Sequence, residues 1–340
     1  MVDREYFSAK CRWLSMIAAF AVVGIHSRTT EWTPGVVDWS SRLQNFCIEH
    51  CSFAVPMFFL FSGYWFMKSY ERHGYWRLLG KKFWSLYVPF VLWCTIGEFA
   101  VLPSSFWSST MPSWGALCGV PLLLTKGLSL AFHLWYVRAL LIFFLLAPLC
   151  YLIGRKMLLV LTAIVLTRLF PTFSLGPYRF DYVATAIPWF MLGAGLSMED
   201  RLAIRLPKTC TAVGTLVSLV VLVTLDLYGD WSISYFISAH EIRIISMVAF
   251  FWFGFDWLFG KVGLLPPPSF CRHTFFVYCV HVVVIRYSGN LLRSGLGTST
   301  IIKTIGYFGN WLSFVVDVVL ARLLVRLSPK AYQILSGRRD

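Results

Sequence analysis

The stretch Ser15–Arg28, SMIAAFAVVGIHSR, decides the fold. From Ser15 to Ile25 no side chain is charged; His26, Ser27 and Arg28 then close the run. With the residues before it, this run makes an apolar segment over 11–27, close to the length that a helix needs to cross the hydrocarbon of a bilayer. Arg4, Lys10 and Arg12 precede it, as in a secretion signal. No small-x-small cleavage site follows, and further apolar segments do, so the run reads as the first transmembrane helix. The same run ends in a histidine, a residue suited to proton transfer.

Working outward, the whole chain repeats this character. Its 340 residues are 58% hydrophobic and only 14% charged, against about 25% charged in soluble domains. The expected class is all-α: a polytopic transmembrane bundle in the cell membrane, folded as a single domain over 1–340. Ten candidate spans can be marked: 11–27, 51–68, 83–102, 132–153, 156–171, 183–198, 208–228, 241–260, 271–288 and 305–327. The short stretch 114–124, which contains Pro121, reads as a re-entrant or interfacial segment. An even number of spans puts both termini on one side. With that side cytoplasmic, the inner connectors carry about three times the Lys and Arg of the outer ones, as the positive-inside bias requires. The net charge of +14 is thus topogenic, and no nucleic-acid partner is expected. The nine cysteines are scattered and odd in number, which argues against a disulfide framework. Cys47, His50 and Cys51 fit no standard zinc spacing, so no metal is expected.

Ionisable groups within spans are costly and mark cavities or partners. Read alone, His26 fits either an interfacial histidine or a catalytic one. Ser62 and Gly63, after Pro56, suit either close helix packing or a cavity wall. His133, Trp135, Tyr136 and Arg138 open the fourth span; the aromatics suit an interfacial belt, whereas Arg138 either snorkels or meets an anion. Arg179 and Asp181 stand just outside the sixth span, and His281 lies near the middle of the ninth. Asp256 and Asp317 need a base, with Arg322 one candidate.

The ordered series of motifs resembles the membrane acyltransferase-3 family over residues 7–337. That family's pattern is an arginine, ten residues, then the catalytic histidine. His26 takes the histidine position; Ser15 stands in the arginine's place, with Arg12 one helical turn earlier. FFLFSG (Phe58–Gly63), HLWYVRALL (His133–Leu141), YRFDYVATAIPWFMLGAGL (Tyr178–Leu196) and FFVYCVH (Phe275–His281) match further elements in order. In KKFWSLYVPFVLW (Lys81–Trp93), Lys82 and Ser85 occupy positions where the family often has two arginines.

The resemblance implies transfer of an acyl group, most simply acetyl, from acyl-coenzyme A to a hydroxyl of a surface or exported glycan. His26 would be general base or acyl carrier, and Arg179, then Arg138 and Ser62, are the candidates to steady the developing oxyanion. Arg12, Ser62, Tyr64, Lys82, His133, Trp135, Arg138 and His281 would contact substrates. No tightly bound cofactor is implied; acetyl-coenzyme A enters as donor substrate. The partners implied are that donor, a glycan and the lipid bilayer. A rival reading is a transporter of a small polar, amino-acid-type substrate through the same bundle; a third is a bundle whose site has decayed at Ser15.

Overall fold

A computed structural model describes residues 3–29, 33, 35–105, 114–123, 131–169, 174–175, 178–179, 183–198, 200–228, 238–260 and 266–338. For 101–105, 114–116, 168–169, 174–175, 178–179 and 183–184 the description extends to the backbone alone. The described fold is helical, apart from a two-residue antiparallel pairing of 174–175 with 178–179. Among the described residues, six segments are long and apolar enough to cross a membrane, or seven if one bent pair counts as a span.

Helix α1 (Arg4–His26) starts at Asp3, whose carboxylate accepts from the Tyr6 amide, the side-chain cap that a helix start calls for. It occupies the centre of the bundle: Leu14, Ala18 and Val23 are fully buried. A short polar helix, α2 (Trp39–Cys51), caps the far end of α1 and was not among the ten apolar segments. Helix α3 (Ala54–Lys82) breaks at Gly74, where φ is +69°, a value that favours glycine. A π-turn over Phe83–Tyr87 then leads into α4 (Val88–Ser105). Pro89 follows that turn; it has no N–H to return to the carbonyl of Ser85, so the ladder widens there.

The stretch 114–122 is a short helix, α5 (Trp114–Gly119), and a 3-10 turn. Helices α6 (Trp135–Leu145) and α7 (Ala147–Gly154) bend by 83° between them; Pro148 stands in the first turn of α7. Two shorter helices follow, α8 (Met157–Leu169) and α9 (Val183–Ser197). Helix α9 packs closely against α3, backbone to backbone at two glycines. Gly63 lies against the Phe190 carbonyl and Gly193 against the Leu60 carbonyl, a reciprocal contact that only glycine permits.

Helices α10 (Lys208–Tyr228) and α11 (Ala239–Phe259) form a flanking pair, the second opened by a Ser238–Glu241 capping box. Helix α12 (Thr274–Leu296) returns through the core beside α1. The segment 305–327 resolves into α13 (Thr300–Trp311) and α14 (Ser313–Leu327), broken at Leu312. Helix α15 (Pro329–Leu335) brings the tail back to α4, where the Trp93 indole donates to the Leu335 carbonyl.

Polar networks tie both ends of α1. At its start, Asp200 takes Arg4 at 2.6 Å, Tyr64 at 2.6 Å and Lys68 at 3.0 Å. Burial alone would raise the Asp200 carboxyl, but the hydrogen bonds from Tyr64, Arg4 and Lys68 outweigh it and bring it down to about 2. Asp256 pairs with Lys10 rather than Arg322, at 2.7 Å, and also takes the Tyr6 hydroxyl. Asp317 is buried, and its carboxylate meets no hydrogen-bond partner among the described residues. Beyond His26, Lys303 is buried against Asp38, and Gln44 joins the Thr29 amide to Ser40. The Lys303 ammonium, with the amide of Ser41, holds Asp38 well below the usual carboxylate range.

Candidate active site

A cavity of about 610 Å³ opens near the end of the bundle where α1 begins. Arg12, Lys82 and Arg272 line it, one each from α1, the end of α3 and the 3-10 turn before α12. Three cations around one apolar cavity make it suited to an anionic ligand with an uncharged arm. Lys82 also lies over the Phe144 ring at 4.6 Å. Ser15 lines the same cavity as Arg12, so the two positions one turn apart face one space. Ser85 does not line it; its carbonyl lies against Gly337 of the tail instead.

Deeper in, the cavity is bounded by Ser62, Tyr136 and Tyr278. The Ser62 and Tyr136 hydroxyls are 2.8 Å apart. The Tyr278 hydroxyl donates to the carbonyl of His133. The two phenol rings stand 5.6 Å apart at 71°, edge to face. Together they form a wall.

Behind that wall lie three histidines from three helical segments. The His26 ring centre is 5.2 Å from that of His281 and 6.3 Å from that of His133; His133 and His281 are 4.9 Å apart. His133 and His281 are buried, and His26 is half-buried. Main-chain carbonyls of α12 fix two of the rings. His281 Nδ1 is 2.8 Å from the Tyr278 carbonyl, and His133 Nε2 is 3.2 Å from the Cys279 carbonyl. A carbonyl only accepts, so each of these nitrogens carries the hydrogen.

The residues picked out in the sequence thus separate. His26, His133 and His281 come together behind the wall, and Arg12, Ser62 and Lys82 line the cavity. Three do not line it: Tyr64, which turns to Asp200; Trp135, which packs on Phe59; and Arg138. The Arg179 backbone lies in the short pairing, and its side chain lies outside the described residues. Sequence reading assigned no role to Arg272 or Tyr278 and read Tyr136 as interfacial; in the structure Tyr136 is buried in the wall. The signal was present, since Tyr136 follows His133 by three and Tyr278 precedes His281 by three, which puts each pair on one helix face.

Among the described residues no group of three His, Cys, Asp or Glu side chains is arranged to hold a metal. His50 contacts the Phe46 carbonyl and, at 3.0 Å, Asp226.

These features define a membrane-type helix bundle with a basic, aromatic cavity that ends against a histidine cluster. A family described as an acyltransferase domain matches residues 12–324. The chain belongs to this acyltransferase-3 family, as its ordered motifs led one to expect. No curated protein and no solved structure matches it.

Proposed function

We propose that the protein transfers an acyl group, most simply acetyl, from cytoplasmic acyl-coenzyme A to a hydroxyl of a surface or exported glycan. The observation that carries this reading is the cavity, with its cationic rim and its deep end set against the histidine cluster. Arg12, Lys82 and Arg272 contact the donor's phosphates; the pantetheine arm runs inward between the aromatic walls. No tightly held cofactor is needed. In this reading the chain is one domain of ten spans in the cell membrane, with both termini cytoplasmic, and the glycan approaches from the far side.

The chemistry follows from the residues. An alcohol is a poor nucleophile, and a neutral imidazole takes its proton as the oxygen attacks the thioester carbonyl carbon. His26 has this role. The carbonyl oxygen becomes negative and needs donors. The Ser62 and Tyr136 hydroxyls stand at the cavity's deep end, and Arg179 keeps the part that its motif implies. On collapse the C–S bond breaks, and the proton held by His26 passes to the leaving thiolate. The products are an ester and free coenzyme A.

Replacement of His26 by alanine tests the reading. Mass spectrometry of surface glycans should show loss of the acyl group at an unchanged protein level. Retained acylation would remove His26 from the chemistry, and uptake of a labelled amino acid without coenzyme A would favour the transporter reading.

A further inference from the structure

The proposed chemistry requires His26 to present one ring nitrogen as a lone pair, and a lone imidazole does not choose which nitrogen that is. In the most familiar solution a carboxylate holds the other nitrogen's hydrogen. No ion pair or hydrogen bond joins a carboxylate to His26 among the described residues. Another histidine stands in that place.

His281 is completely buried. The carbonyls of Tyr278, at 2.8 Å, and Val277, at 3.3 Å, both face its Nδ1. Its hydrogen is therefore on Nδ1, and in the neutral ring Nε2 is an acceptor. That Nε2 meets no hydrogen-bond partner among the described residues. Buried acceptors without partners are rare and costly, so one beside a reactive group calls for a reason. Two rings stand beside His281: His133, at 4.9 Å, whose Nε2 carries its hydrogen toward the Cys279 carbonyl so that its Nδ1 has none to give, and His26, at 5.2 Å with planes inclined by 38°. Two imidazoles joined by a single N–H···N bond have centres roughly 5 Å apart. The spacing is already that of a bonded pair; alignment is what remains, and such bonds commonly tighten only with substrate present.

We infer that His281 is a positioning residue for His26. Its Nε2 accepts the hydrogen of one His26 nitrogen and so leaves the other His26 nitrogen as the base that faces the acceptor hydroxyl. The proton count is unchanged by this pairing. The alcohol's proton goes to His26 and then to the thiolate; His281 keeps its own Nδ1 hydrogen and lends a lone pair throughout. The inference rests on the acyl-transfer reading given above.

The test uses the full chain in inside-out membrane vesicles, supplied with acetyl-coenzyme A labelled in the acetyl group. Label transferred to vesicle-bound glycan is counted at varied donor concentration. His281→Phe keeps a buried ring and removes the acceptor; kcat should fall roughly ten- to a hundred-fold, as when an orienting partner is lost, with KM for the donor unchanged. His281→Gln puts an acceptor oxygen near the former Nε2 and should recover a large part of the lost kcat. A purely structural role would not separate these two variants in kcat at equal protein level. If His281→Phe retains full kcat while His26→Ala is inactive, the pairing is overturned and the acyl-transfer reading stands. If His26→Ala is itself active, the pairing and the role of His26 as base both fall, while acyl transfer itself stands. Should His281→Phe fail to accumulate, His281→Gln with kcat below a tenth of the parent's overturns the pairing.

Discussion

Arg12 and Ser15, one helical turn apart, line one cavity. The family pattern places an arginine where Ser15 stands, yet Arg12 enters the same cavity from the preceding turn of α1. The cation is thus kept and set nearer the mouth. On the proposed reading, Arg12→Ala should raise KM for acetyl-coenzyme A about ten-fold, the effect of about 1.4 kcal/mol, a single charge-assisted contact, with little change in kcat. Adding Ser15→Arg to that variant should recover much of the affinity. Steady-state transfer in vesicles measures both. At this scale His26 was legible from one phrase of sequence, because a histidine closing an apolar run is conspicuous. Arg272 was not, because a basic residue beside a span looks like ordinary topogenic charge until a cavity places it opposite Arg12.

Elements were more legible than their contacts. Each of the ten apolar segments falls on helix in the described residues, where six, or seven with the bent pair, are long and apolar enough to span; an apolar segment satisfies its backbone polar groups within itself. Breaks were harder to see. Pro148 marks the bend between α6 and α7, but Leu312 carries no such signal, and the polar α2 lies below any hydropathy threshold. Gly63 in the sequence suited packing and cavity equally well. Packing it is, while the neighbouring Ser62 faces the cavity. A Cβ on Gly63 would lie 1.9 Å from the Phe190 oxygen, and one on Gly193 would lie 2.0 Å from that of Leu60. Gly63→Ala and Gly193→Ala should each cost at least the roughly 1–3 kcal/mol of an overpacked core, lowering the thermal midpoint in detergent. The double variant should lose less than the two losses added, because one displacement of α3 from α9 relieves both clashes.

At the scale of the whole molecule, both chain ends are tied to the bundle. Arg4 joins Lys68 on Asp200, and Gly337 lies against Ser85. Asp200 therefore ties α1 and α3 to the turn after α9, and its contribution depends on pH. Its carboxyl is held below the usual value near 3.8, at about 2, so the stabilisation is complete above the unfolded value and fades as pH falls through about 2. Asp200→Asn should lower the thermal midpoint at pH 7, and the gap to the parent should close between pH 4 and pH 2; melting curves across that range measure it. The paired tyrosines have a wider consequence. On the proposed reading the cavity opens to one side of the membrane and the histidine cluster to the other, so the membrane potential would fall across whatever separates the two. Tyr136 and Tyr278 are that separation. Their rings are apolar, the Tyr278 hydroxyl donates to the His133 carbonyl, and the Tyr136 hydroxyl stands beside that of Ser62. On the proposed reading, an enzyme that works across a bilayer must also be an insulator, and these two phenol rings are where the voltage would fall.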